Sequence, residues 1–286
     1  MQLGDVSPTL IWAMQSQHFQ KVLTMNCKIC GSLTRSAFVT QVLNQYNVSF
    51  FKCNSCGYLF SEEPFWLVHA YDKNIVLQDT GILQRNLYFS KIIALILLII
   101  GKHKSKILDF GGGFGILCRL LRDKGFDCYW HDDYETNFLA RGFVDQGDNY
   151  GTTISIEVLE HLIEPNVFFD KVFQRSSTLI CSTTLLQSDI PNLDWHYYTF
   201  ETGQHISFYS KETFSYIANK YGKYFYSFGY THLFLDQKLN LLQQNLIRII
   251  CLMFRGRIFS KFFYKSFGVS SKMLSDSQLP KTDSND

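Results

Sequence analysis

The chain is short of charge. Only 18% of its 286 residues are charged, and 27 Lys and Arg against 25 Asp and Glu leave a net charge of +2. A surface dedicated to a polyanion needs a larger, clustered excess, so the balance argues against one. Long apolar runs are missing too. Ile92 to Ile100 is apolar throughout, but nine residues are too few to cross a bilayer and read better as a buried helix. The first residues lack a basic cluster followed by an apolar core, so no secretory leader is expected and a cytoplasmic location is. What is present is a globular composition, 46% hydrophobic and 16% aromatic. The aromatics suit either a stacking ligand site or a dense core. The length holds one full α/β domain with a small appendage.

The most informative stretch is Lys106 to Gly115. An apolar segment ends in Asp109 and turns through Gly111, Gly112, Gly113 and Gly115 into the amphipathic run Ile116–Leu121. That is the layout of a strand, a tight turn and a helix whose N-terminal N–H groups face a ligand across bare backbone. A dinucleotide fingerprint starting at Gly111 would need a small residue where Ile116 stands, so that reading fails. The pattern D-x-G-x-G-x-G resembles motif I of class I S-adenosylmethionine (SAM) methyltransferases.

The following elements agree. Asp132 lies 23 residues beyond Asp109, at the end of a predicted short strand, where a carboxylate can accept both hydroxyls of a ribose. Thr152 to Ile156 is a β-rich run passing into Glu157-Val158-Leu159-Glu160-His161-Leu162, similar to the strand-4 signature of the same enzymes. Thr178 to Thr184 fits a fifth buried strand. Only 24 residues separate Asp132 from Glu157, so the third strand must be short, with Phe143-Val144 as its remnant.

Eight cysteines could suggest disulfides, but four form two C-x-x-C-G pairs, Cys27/Cys30 and Cys53/Cys56. Phe38–Leu43 and Val48–Lys52 alternate as a hairpin turning around Asn44–Asn47, which brings the pairs together as a closed four-thiolate site for structural Zn2+. A redox pair would sit singly in a strand–helix unit. Cys118, Cys128, Cys181 and Cys251 read as core. The ribbon carries Lys28, Arg35 and Lys52 without clustering, which makes nucleic acid an unfavoured partner.

From about Cys27 to Leu235 the chain resembles bacterial class I methyltransferases with an N-terminal zinc ribbon, often associated with polysaccharide or nucleotide-sugar pathways. Besides the motifs above, the resemblance rests on Ala70-Tyr71 through Asp79-Thr80-Gly81 to Arg85-Asn86, and on Asp194 to Tyr198 leading into Gly203-Gln204-His205-Ile206-Ser207-Phe208-Tyr209-Ser210. His196 stands where the family often has a second tryptophan.

The resemblance implies a Rossmann-like α/β sheet with SAM as cofactor. The expected organisation is an extension over 1–24, a zinc ribbon over 25–60, a helical linker or cofactor lid over 61–103, a SAM-binding domain over 104–236, and a basic amphipathic helix with a disordered tail over 237–286. The expected cofactor-binding residues are Asp109, Gly111, Gly112, Gly113, Gly115, Asp132 and Glu157. The expected activity is methyl transfer to a sugar-containing small molecule or glycan precursor, with His161 or His205 as general base and Glu160 beside them. RNA or protein methylation, or a non-catalytic SAM-binding scaffold, are the alternatives. Trp195, Tyr197 and Tyr198 read either as stacking groups or as core packing.

Between Gln237 and Ser275 there are seven Lys or Arg and no acid, with Leu239, Leu242, Leu246, Ile249, Ile250 and Met253 at helical spacing. Two readings stay open: a helix docked on the domain with a solvated basic face, or one lying on an anionic membrane, which would make the protein peripheral at the inner face.

Overall fold

The computed structural model describes residues 25–71 and 81–255. The expected extension over 1–24, Asp79 and Thr80, and the tail from residue 256 lie outside the described residues. Two sheets organise the rest. The smaller begins with β1 (Thr34–Val42) and β2 (Tyr46–Cys53), an antiparallel hairpin in register Val42↔Tyr46 with a shift between Ser36 and Phe38. Its turn falls one residue earlier than the sequence predicts. Leu43 and Asn44 both take left-handed φ of 54°, and the Leu43 N–H donates to Phe200 O at 2.8 Å, which fixes the turn against a distant loop. Next come β3 (Leu59–Ser61) and, from about 150 residues further on, β8 (Ser207–Phe208), giving the order β1-β2-β3-β8.

The larger sheet contains β4 (Ile107–Phe110), β5 (Cys128–His131), β6 (Thr152–Ile156), β7 (Leu179–Ser182), β9 (Tyr224–Phe228) and β10 (Thr231–Leu235) in the order β5-β4-β6-β7-β10-β9. The first four are mutually parallel; β10 is antiparallel to both neighbours. The short third strand survives as a single parallel bridge, Trp130↔Val144. Asp145 just beyond it accepts two hydrogen bonds from the Arg175 guanidinium, at 2.8 and 2.5 Å, so a side-chain clamp substitutes for the missing ladder.

The helices are α1 (Leu67–Ala70), α2 (Ile82–Ile99), α3 (Ile116–Asp123), α4 (Pro165–Arg175), α5 (Lys211–Lys220) and α6 (Leu241–Arg255). Pro165 starts α4, where its missing N–H costs nothing, and Ser210 caps α5 in a reciprocal box with Thr213. The sheet alternation divides the core. Ile154 and Ile180 pack with residues of α2, α3 and α6, while Leu179 and Cys181 pack with α4, α5 and the ribbon residues Cys27, Phe51 and Phe60. The ribbon is thus part of one continuous apolar core with the larger sheet.

Two helices differ from expectation. α2 is 18 residues long with a mean hydropathy of 1.6, enough by length and composition to cross a bilayer, yet Ile92, Ile93, Ile96 and Leu97 are fully buried against the sheet. In α6, Ile247 and Cys251 face the core, whereas Leu242, Leu246, Ile249 and Met253 point outward. Of the stripe the sequence singles out, only Leu239 and Ile250 turn inward.

Candidate active site

Because β4 to β7 are parallel, the residues that follow each of them share one edge of the sheet, the usual ligand edge of open α/β folds. The glycine loop follows β4, Asp132 follows β5, Glu157 follows β6, and Thr183 follows β7.

The loop needs its glycines. Gly111 has φ +75°, and a Cβ there would meet Val158 Cγ2 at 2.5 Å. Gly113, at φ +51°, has nothing within 4 Å of a built Cβ, so bare backbone faces open space at the mouth of the turn. Gly112 lies between Trp130 and Asp109, and Gly115 precedes α3 beside Asn137. Asp132 holds the loop from the side. One of its oxygens accepts the Gly113 N–H at 2.9 Å, and the other accepts those of Tyr134 and Glu135, both at 2.9 Å. Asp109 sits behind the cradle, fully buried, accepting the Cys118 N–H of α3 at 3.1 Å; burial pushes its carboxyl up to about 7. Glu157 is a non-glycine residue at φ +56°, pinned to β7 by its N–H on Ser182 Oγ (2.9 Å) and by that hydroxyl on its carboxylate (2.7 Å). Backbone strain of this kind persists only where its surroundings enforce it.

A second cluster stands beyond the β6 edge. Glu160, His161 and His205 each bring one ligating atom within 4.8 Å of the other two. Both imidazoles are held from behind: His161 Nδ1 is 3.1 Å from Gln204 O, and His205 Nδ1 is 2.7 Å from Tyr197 O. With Nδ1 as donor to a carbonyl, each Nε2 keeps its lone pair. Burial holds both rings neutral, lowering His161 to about 4 and His205 to about 3. Glu160 is 0% exposed, and neither carboxylate oxygen has a well-formed hydrogen bond among the described residues. Burial raises it to about 7, only partly offset by the hydroxyls of Tyr197 and Thr183 and the charge of Arg85. The donor set suits either a divalent cation or the proton of an acceptor hydroxyl.

Tyr71 joins the two clusters. Its ring lies 6.4 Å from Tyr134, next to Asp132, and 6.4 Å from His161. Tyr71 therefore links the side of the cradle that holds Asp132 to the Glu–His cluster. In the sequence no local pattern marks Tyr71, because its partners lie far along the chain. Arg85, at the start of α2, acts on all three charged or basic groups of the cluster, while Asn86 bonds back to Ile82 O within its own helix. Tyr197 packs on His205 with ring centroids 4.7 Å apart; Tyr198 is core, and His196 is exposed.

In the ribbon, the four sulfurs of Cys27, Cys30, Cys53 and Cys56 lie within 4.8 Å of one another. Gly31 and Gly57 follow the pairs at φ +74° and +72°, and the N–H groups of Ile29 and Cys56 point at the Cys27 and Cys53 sulfurs. The hydrogen bond from Cys56 draws Cys27 down to about 5, so one thiolate forms readily. This is the donor set of a closed zinc knuckle.

Residues 83–224 match the family model described as a methyltransferase domain. Over these residues the chain carries a methyltransferase domain. The chain is similar to magnesium protoporphyrin IX methyltransferase from Synechocystis PCC 6803 with bound SAH (18% identity, TM-score 0.40, covering 59% of this chain and 90% of that one). It is also similar to an O-methyltransferase family protein from Burkholderia thailandensis (14%, TM-score 0.42, 58% and 60%) and to human N-acetylserotonin methyltransferase in complex with SAM (13%, TM-score 0.41, 62% and 60%). The alignments with the last two thus span less than two thirds of their length. No curated protein matches the sequence.

Proposed function

We propose that this methyltransferase transfers the methyl group of SAM to a hydroxylated, sugar-containing small molecule or glycan precursor, using a histidine as base. The observation that carries the reading is the fully buried Glu160 carboxylate, without a well-formed hydrogen bond among the described residues, beside two imidazoles held by carbonyls at Nδ1, with Tyr71 linking them to the glycine cradle. SAM, when bound, supplies an electrophilic methyl and needs no activation by the protein. The chain's own work is to hold the acceptor in line and to take its proton.

His161 or His205 receives that proton at Nε2 while Nδ1 stays bonded to its carbonyl. An ionised Glu160 within 4.8 Å offsets the imidazolium charge, a role in which a buried carboxylate orients and stabilises rather than contacts the acceptor. The cofactor's holders are the Gly111–Gly115 backbone, Asp132 for the ribose, and Asp109 and Glu157 in support. We further propose that Cys27, Cys30, Cys53 and Cys56 hold a structural Zn2+, whose closed coordination keeps it out of the chemistry.

The test is acceptor-dependent methyl transfer from labelled SAM to fractionated small-molecule and glycan pools, with His161→Ala and His205→Ala compared with the parent. At least one substitution is expected to lower kcat by about 100-fold with SAM affinity kept, the usual weight of a general base. Unchanged turnover in both, or label entering RNA or protein instead, would overturn the assignment.

A further inference from the structure

A cleft of about 890 Å3, a volume suited to a small ligand, opens between the ribbon, the segment after β7 and the start of α5. Arg35 of β1 and Lys52 of β2 line it from the ribbon, Asp189 from the segment after β7, and Lys211 and Glu212 from the first turn of α5. None of Glu160, His161 and His205 borders it, so the cleft is a place apart from the Glu–His cluster.

Its charges are arranged around one shared carboxylate. Lys52 is only 3% exposed, and its ammonium donates to Gly57 O at 2.9 Å. Its counter-charge, Asp189 Oδ1, stands 3.7 Å away, beyond hydrogen-bond reach. The other oxygen of Asp189 takes the Arg35 guanidinium, whose Nε donates to Asn54 Oδ1 at 3.0 Å. Asp189 itself is 68% exposed, in a bend between β7 and β8. A buried ammonium is costly unless it is closely paired, and here its one acid is distant, shared and largely in water. Lys211 adds a third cation. Glu212, the other acid, is engaged within its own helix turn, where the Ser210 hydroxyl holds its carboxyl below the ordinary range.

The use made of Asp189 indicates what it stands in for. One oxygen addresses a guanidinium and the other an ammonium, as two oxygens of a phosphate do when held between Arg and Lys. A carboxylate brings two oxygens and one charge; a phosphate monoester brings three oxygens and nearly two charges, which two cations accept at once. The hydroxyls of Ser55, Ser188 and Ser227 border the same cleft as donors for a third oxygen. A cationic ligand would instead meet Arg35 and Lys52 as like charges. We infer that the cleft binds the phosphate group of a small molecule, with Arg35 and Lys52 as its holders and Asp189 as the internal anion that the ligand displaces. The inference goes beyond the methyl-transfer reading and does not depend on it, and its test does not read turnover.

The full chain is titrated with inorganic phosphate by calorimetry, at constant ionic strength set with chloride. Asp189→Asn, which removes the internal anion, is expected to tighten phosphate binding by about tenfold, the weight of one charge-assisted contact. Asp123→Asn on α3, the same change of net charge outside the cleft, is expected to shift it by less than about twofold. Lys52→Met is expected to weaken phosphate binding by about tenfold or more, both alone and combined with Asp189→Asn, while SAM affinity stays unchanged. Should Lys52→Met fail to fold, as loss of SAM binding would reveal, Arg35→Gln tests the same cleft at a half-exposed side chain and is expected to weaken phosphate by about tenfold. No saturable phosphate binding to Asp189→Asn, binding that neither Lys52→Met nor Arg35→Gln alters, or equal tightening by Asp189→Asn and Asp123→Asn would each overturn the inference.

Discussion

The glycine loop and the Glu–His cluster are built in opposite ways. The glycine loop is local: Asp109, the glycines, Cys118 and Asp132 span one strand–turn–helix–strand unit, and the bonds that set the loop run from the Gly113 N–H to Asp132 and from the Cys118 N–H to Asp109. The Glu–His cluster is assembled from afar. His161 leans on Gln204, His205 on Tyr197, and Tyr71 reaches in from the segment after the ribbon. The ribbon itself helps set that geometry. β3 pairs with β8 two residues after His205, Tyr58 OH bonds Ser207 Oγ at 2.5 Å, and Trp66 Nε1 donates to Gly203 O at 2.8 Å. A small four-cysteine module therefore braces the Glu–His cluster, while the bonds that set the glycine loop stay within the β4–β5 unit. Such a division lets one cofactor cradle serve many acceptors, because the acceptor side can change without touching the loop.

The largest effect expected is at Gly111. A Leu side chain there must adopt φ +75° and overlap Val158, which lies 2.5 Å from the first added atom. Gly111→Leu is expected to weaken SAM binding by more than about 100-fold by calorimetry, with the fold retained by far-UV circular dichroism. Measurable affinity near the parent value would show that the loop is not the cradle, and the local half of the comparison would fall.

This asymmetry explains what could be read before the fold was known. Gly111, Gly113, Gly115 and Asp132 are legible because a tight turn under a helix N-terminus needs those residue types at short fixed spacing. The cysteine pairs are legible for the same reason, since two thiols in a knuckle are a local pattern. The remnant strand at Phe143-Val144 followed from arithmetic on chain length, and the single bridge to Trp130 matches it. The Glu160 environment was not legible. The groups that partly offset its burial come from residues as distant as Arg85 and Tyr197, which no window of sequence connects. The outward stripe of α6 misled for a related reason: helical periodicity shows that an apolar face exists but not what it faces. Leu242, Leu246, Ile249 and Met253 fit a core pattern as well as a docking one.

Breaking the four-cysteine cluster sharpens the contrast at the next level. Cys56→Ala removes one sulfur and loosens the knuckle whose Cys56 O accepts the Thr213 hydroxyl at the start of α5. Acceptor turnover is expected to fall by about 100-fold or more and thermal stability to drop, as when a structural zinc site is broken. SAM affinity is expected to change far less, within about fivefold, because the hydrogen bonds that set the cradle come from Asp132 and Cys118 rather than from the ribbon. Metal analysis, calorimetry and turnover on one preparation check all three. Equal loss of both functions would make the protein one indivisible unit and erase the division drawn above.

The smallest effect, and the one with the most specific signature, concerns Glu160. Its folded carboxyl is raised to about 7 by burial, from an ordinary value near 4.5. Between those two values the native protein keeps a proton that the unfolded chain has released, so stability falls as pH rises through the window, and the penalty is complete above about 7. The ionised form that destabilises the fold is the form that would support an imidazolium during proton transfer. Activity and stability should therefore move in opposite directions with pH. Glu160→Gln is expected to lower kcat by about tenfold and to flatten the rise in rate centred near pH 7. At pH 8 the variant should be more stable than the parent, by up to about 3 kcal/mol from the size of the shift, with little gain at pH 4. Denaturant unfolding at the two pH values, set beside the pH–rate profile, reads both predictions. A variant that loses activity and stability together at pH 8 would mean that the carboxylate is an ordinary structural group, and that the Glu–His cluster does no chemistry.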